Sequence, residues 1–189
     1  MLAVAAGAIG TRAAVVTLNV KELEDEAVAH AQWRGQRVQS YALKVGLRSF
    51  ARADLESVSV KYWYIGEDQQ TRRKYVVFEG EQKVGVLARG SQTEIETEAC
   101  QTKYSRKKNT NEGYITYVSL KSGIKIKGYV IRVYAGGELL ATEASSRRYE
   151  RAFPKLLAEY EREKAKKAEA EKNSKRPRKK RRKKDSEDR

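Results

Sequence analysis

The chain has 189 residues, with 40 Lys or Arg against 25 Asp or Glu, a formal charge of +15, 40% apolar and 34% charged residues. That composition allows one ordinary domain with extensions and one modest core, not two. No apolar run approaches the roughly 18–20 residues of a membrane-crossing helix, the single cysteine (Cys100) can form no internal disulfide, and the single histidine (His30) can build no His-rich metal site.

Residues 1–10 (MLAVAAGAIG) are apolar and small. They are similar to the apolar core and cleavage region of a secretory signal peptide, with Ala6, Gly7 and Ala8 as the small residues, although no Lys or Arg precedes the run. The plain alternative is a flexible N-terminus or a first strand. We set residues 1–12 apart from the domain that follows.

Residues 13–144 read as β structure. Val16, Leu18 and Val20 share one face by period 2, and residues 22–34 read as a connection. Tyr41, Leu43, Val45 and Leu47 then alternate with Ala42, Lys44, Gly46 and Arg48 as a half-buried strand. After Asp54 and Leu55, Val58, Val60, Tyr62 and Tyr64 alternate with Ser59, Lys61 and Trp63. Residues 74–78 form another β-branched and aromatic run, and Glu79-Gly80-Glu81 reads as a hairpin turn into residues 83–87. Thr93, Ile95 and Thr97 alternate with Glu94, Glu96 and Glu98, so one face of that strand must meet solvent. A basic loop over residues 105–111 (SRKKNTN) precedes a strand over 114–120. Residues 124–134 and 138–143 close the series as a hairpin through Gly136-Gly137, whose tolerance of φ > 0 suits a two-residue turn.

About eight short strand candidates with no helical pattern between them predict a mainly β protein, a single antiparallel β-sandwich over residues 13–144. Both prolines, Pro154 and Pro177, fall outside the strands. Residues 145–172 are expected to form a C-terminal helix: Ser145-Ser146 offers a cap, Pro154 suits a first turn, and residues 155–172 are strong helix formers. Leu156, Leu157 and Tyr160 are the apolar residues expected to dock it, with Glu163 and Lys167 pairing on its surface. Residues 173–189 are expected to be a disordered basic tail, because dense like charge without large apolar side chains cannot offset the entropy of ordering.

The strand residues 58–64 (VSVKYWY), with their Trp, and the closing hairpin over 129–143 resemble an immunoglobulin-like or fibronectin-type-III-like β-sandwich. The chain departs from the immunoglobulin pattern in having only Cys100 where two cysteines would bracket the Trp, which favours a disulfide-free sandwich. A resemblance of architecture implies no activity.

Catalytic motifs are missing from the sequence: there is no phosphate-binding Gly loop, nucleophile elbow, HExxH or paired CxxC. The ordinary reading of His30 is a solvated connector residue, and that of Cys100 a small half-buried side chain, although Lys103, Arg106, Lys107 and Lys108 nearby raise the alternative of a lowered thiol pKa. Glu94, Glu96 and Glu98 share one face of one strand, where acid–base chemistry would need two different environments. The protein is therefore expected not to be an enzyme and to need no cofactor and no metal.

Eleven tyrosines stand against three Phe and two Trp, and period 2 assigns Tyr62 and Tyr64 to the core. Trp63, out of phase with them, is the candidate exposed contact surface, where a protein partner would bind the sandwich. The most specific feature is the tail. Residues 172–184 hold ten cations and no acid, which leaves net +7 on residues 1–171. Lys175, Arg176, Arg178, Lys179, Lys180, Arg181, Arg182, Lys183 and Lys184 are its candidate polyanion-binding residues. Such a polycation releases counterions on meeting a polyanion, whether an envelope polymer, anionic lipid headgroups or nucleic acid. Two functions follow as expectations: a non-catalytic extracytoplasmic or secreted binding or structural protein whose tail attaches to an anionic surface or polymer, or an intracellular protein of nucleoid or nucleus that holds DNA or RNA non-specifically.

Overall fold

A computed structural model describes residues 15–28, 36–105, 109–112, 115–118 and 122–174. In chain order the elements are β1 (Val16–Val28), β2 (Gln36–Ser49), β3 (Leu55–Asp68), β4 (Lys74–Leu87), β5 (Gln92–Glu96), β6 (Cys100–Ser105), β7 (Asn109–Glu112), β8 (Ile115–Val118), β9 (Ile124–Ala135), β10 (Glu138–Ala144) and α1 (Arg147–Ser174). Two four-stranded antiparallel sheets make a β-sandwich. One has the order β1-β2-β5, with β6 following β5 along the same side of β2; the other has the order β10-β9-β3-β4. β7 and β8 form a separate two-stranded ribbon between β6 and β9.

The expected alternation places the core. Tyr41, Leu43, Val45 and Leu47 of β2 face Val58, Val60, Tyr62 and Tyr64 of β3, with Ile131 and Val133 of β9 beside them, all buried in one cluster. Burial of this kind is the main stabilising term of the fold. The two tyrosines end in polar contacts on the opposite sheet, at the break between β5 and β6. Tyr64 meets the Thr97 hydroxyl at 2.6 Å and donates to the Glu98 carbonyl at 2.9 Å, while the Glu98 amide donates to the Tyr62 hydroxyl at 3.0 Å. Their rings fill the centre and their hydroxyls tie the sheets together. Glu94 and Glu96 are exposed, as the alternation of β5 requires.

Four expectations are corrected. Residues 22–28, read as the start of a connection, continue β1 and stay paired with β2 as far as Val28 and Arg37. Glu79-Gly80-Glu81 is no turn: β4 runs unbroken through it, and Gly80 lies opposite Tyr62. A Cβ on Gly80 would stand 2.3 Å from the Tyr62 ring, so glycine is needed there for packing. The turn falls earlier, where the Asp68 carboxylate accepts from the amides of Gln70 (2.8 Å) and Thr71 (2.7 Å). Part of the expected basic loop is a strand, since Asn109–Glu112 pairs with Ile115–Val118. The last correction concerns Pro154: the helix is present as expected, over Arg147–Ser174, but Pro154 lies inside it rather than in its first turn. The Gly136-Gly137 hairpin is as expected, with φ of 56° and 86°.

Candidate polyanion interface on the C-terminal helix

Two polar regions stand out, one inside the sandwich and one on its surface. The inner face of β1 changes character along its length. Val16, Leu18 and Val20 pack on the core, whereas Glu24 and Glu26, further along the same face, lie opposite Tyr41 and Gln39 of β2. Glu26 accepts from Lys125 (2.5 Å), Tyr104 (2.6 Å) and Arg37 (3.1 Å). Gln39, fully buried, donates to Glu24 at 2.7 Å and accepts the Ile126 amide at 2.8 Å. Glu26, Gln39, Lys125 and Tyr104 thus partner one another, so the cluster buries no unpaired charge.

The Lys125 ammonium and the Tyr104 hydroxyl hold the Glu26 carboxyl down to about 2 from 4.5. A depressed carboxylate stabilises the fold above its unfolded pKa, and that contribution is lost as pH falls through the folded value. Glu26 keeps 19% of its side chain exposed, so solvent screening leaves about 1–2 kcal/mol. We expect Glu26→Gln to lower the denaturant midpoint at pH 7 and the gap from the natural protein to close between pH 4.5 and 2. A gap unchanged at pH 2.5 would show that the carboxylate contributes nothing by its charge.

The surface region is α1. Ser146 caps it, its carbonyl accepting the Tyr149 and Glu150 amides at 3.0 and 3.2 Å and its hydroxyl lying 3.4 Å from the Tyr149 amide. Glu150 in the first turn and Lys172 in the last complement the helix dipole. Pro154 has no N–H to offer the Glu150 carbonyl, a defect tolerated because tertiary packing holds the turns on either side. Tyr149 and Phe153 are buried on the second sheet and Leu156, Leu157 and Tyr160 pack around them, a stripe at helical spacing.

This docking corrects the assignment of Trp63. Only 3% exposed, Trp63 lies under α1 with Ile65, Val76 and Val130, its ring 4.9 Å from that of Phe153. The Arg132 guanidinium covers both rings, at 5.9 Å from Trp63 and 4.8 Å from Phe153. Trp63 is thus core of a second cluster and no contact surface, because the face that period 2 turns away from the sandwich centre is covered by the helix.

The opposite face of α1 is cationic. Arg148, Arg151, Lys155, Arg162 and Lys166 recur at spacings of three, four, seven and four, on one side of the helix, and all are exposed. At 1.5 Å per residue the stripe is about 27 Å long. None of the five is in an ion pair among the described residues. The helix's bonds to the body use other groups: Glu159 takes Arg73 at 3.1 Å, and Lys164 takes Glu79 at 2.9 Å. Glu163 and Lys167, expected to pair, instead both line a groove between α1 and β4.

The tail residues 175–184 lie outside the described residues, as do residues 1–12 and His30. Along the chain they follow directly on the cationic helix. Sequence reading missed the five-residue stripe, although a helical wheel drawn from Arg147 contains it. Cys100 is half-buried, and burial with Glu98 nearby pushes its thiol up, so the basic loop does not activate it.

No family model matches this chain, and no curated protein matches it. Several chains of solved structures match it, two of them as follows. One is a crystal structure from Akkermansia muciniphila, at 13% identity over 70% of this chain and 70% of that one, with a TM-score of 0.36. The other is an X-ray structure of a Northeast Structural Genomics Consortium target, at 5% identity over 69% of this chain and 85% of that one, with a TM-score of 0.31.

Proposed function

We propose that the protein is a non-catalytic polyanion-binding module, in which an immunoglobulin-like sandwich supports a cationic helix and its basic tail. The carrying observation is the unpaired stripe from Arg148 to Lys166, which would add five phosphate-type contacts to those of the tail. The stripe has no apolar flank, because the apolar face of α1 is spent on Trp63 and Val130. A helix in that state engages an anionic surface or polymer by charge alone and does not insert into a bilayer.

The immunoglobulin-like type is supported by strand order. The chain makes a hairpin in one sheet, crosses for β3 and β4, returns for β5 and β6, and crosses again so that β9 lies beside β3. Against the immunoglobulin pattern, Trp63 faces the helix and no disulfide joins the sheets among the described residues.

Replacing Arg148, Arg151, Lys155, Arg162 and Lys166 together by Gln tests the stripe, with inorganic polyphosphate as probe. At about 0.7–0.9 per contact, the slope of log affinity against log salt should fall by about 3.5 to 4.5. An unchanged slope in a variant that still unfolds cooperatively would assign binding to the tail alone and remove α1 from the site.

The apolar start over residues 1–10 supports an extracytoplasmic protein. Terminal-peptide mass spectrometry on host fractions tests this: a mature start between Ala8 and Val15 in the envelope or medium supports export, and an intact Met1 in the interior refutes it. The second reading, an intracellular nucleic-acid-associated protein, is favoured by the tyrosine-lined groove beside the helix.

A further inference from the structure

We propose that the groove between α1 and the edge strand β4 is a nucleobase site, so that the polyanion served by the helix is a single strand of nucleic acid. The inference rests on the polyanion reading and narrows it. It starts from the tyrosines. Of the nine with described side chains, Tyr41, Tyr62, Tyr64, Tyr104, Tyr129 and Tyr149 are buried, and Tyr75, Tyr134 and Tyr160 remain half-exposed. Two of those three, Tyr75 from β4 and Tyr160 from α1, line one groove.

Val76, Val77 and Ile124 complete its apolar wall, and Glu163, Lys164 and Lys167 stand on the helix side. The groove holds about 290 Å³, and an adjoining hollow of about 330 Å³ shares Tyr75 and Glu163 with it and adds Arg73. These volumes lie at the bottom of the range for small-molecule sites, about 300–1,000 Å³. Each suits a single planar ring and neither encloses a larger metabolite.

A polymer that presents planar rings and phosphates in alternation matches this combination. Aromatic side chains bind bases through their faces without regard to sequence, while cations beside them track the backbone. Lys164 and Lys167 stand at the groove itself, beside a base set against Tyr75 and Tyr160, and the stripe that ends at Lys166 lies further round the same helix, where the continuing strand would meet it. Glu163 supplies an acceptor for an exocyclic amine such as N4 of cytosine. Polyphosphate and anionic headgroups would use the same cations and have nothing to place on the rings.

The test compares two probes on the full chain, a 12-nucleotide oligodeoxycytidylate and inorganic polyphosphate of similar charge. Tyr75→Leu keeps an apolar side chain and removes the stacking ring; Tyr160→Leu does the same on the helix. We expect each variant to lose about fivefold or more in affinity for the oligonucleotide while polyphosphate binding stays within about twofold, with unfolding midpoints confirming that the fold is retained. Equal losses for both probes, or no loss for either, would overturn the base site. Should the natural protein bind polyphosphate and leave the oligonucleotide free, the nucleobase proposal fails and the polyanion reading stands; should it bind neither at low salt, both fail.

Discussion

Trp63→Ala is expected to cost about 3–5 kcal/mol in equilibrium unfolding, the range for removing a large buried aromatic side chain. The substitution strips the contact with Phe153 at 4.9 Å and leaves a cavity between α1 and the sheet. It also removes one of the two rings beneath the Arg132 guanidinium, whose Nε is already buried without a hydrogen-bond partner. Phe50→Ala is the matching control. Phe50 is 55% exposed just after β2, with the Arg48 guanidinium over its ring, so its loss should stay below about 1 kcal/mol. Denaturant titration of the two variants decides the matter. A cost for Trp63→Ala no larger than that for Phe50→Ala would mean that α1 does not cover the sheet in solution.

The same residue shows where sequence reading stops. Period 2 correctly separates Trp63 from Tyr62 and Tyr64, because alternation is a local property of an extended backbone. Whether the second face meets water depends on a helix some ninety residues later, and nothing local carries that information. For the same reason β2 was legible over residues 41–48, where Tyr41, Leu43, Val45 and Leu47 face the other sheet, but not over residues 36–40, whose buried Gln39 breaks the apolar alternation. Gly80 was misread because a glycine between two glutamates has the chemistry of a turn, and its actual cause is the Tyr62 ring opposite, which only the strand register reveals. The docking residues of the helix were missed for a third reason. Pro154 is favoured at a first turn, and weighting it hid Tyr149 and Phe153, the two residues that do most of the docking. Had residues 147–160 been read at period 3.6 without that weight, both the docked stripe and the cationic one opposite would have emerged.

Docking also separates two truncations that sequence composition alone would treat alike. Removing residues 172–189 deletes eleven Lys or Arg and no side chain of either buried cluster. The unfolding free energy should therefore change by no more than about 0.5 kcal/mol, while salt-dependent binding to polyphosphate falls steeply. Removing residues 147–189 is a different change. It uncovers Trp63, Ile65, Val76 and Val130 together, an apolar patch on a sheet face that nothing but α1 covers among the described residues. That protein should lose more stability than Trp63→Ala does and should self-associate, since contiguous exposed apolar surface drives association. Sedimentation velocity and denaturant unfolding on both truncations read this out. If the shorter deletion removes cooperative unfolding, the tail is part of the folded core and its cations are not free for a polyanion. If the longer one remains monomeric and stable, the sandwich is complete without α1, and the helix is an appendage held by its ion pairs at Arg73 and Glu79.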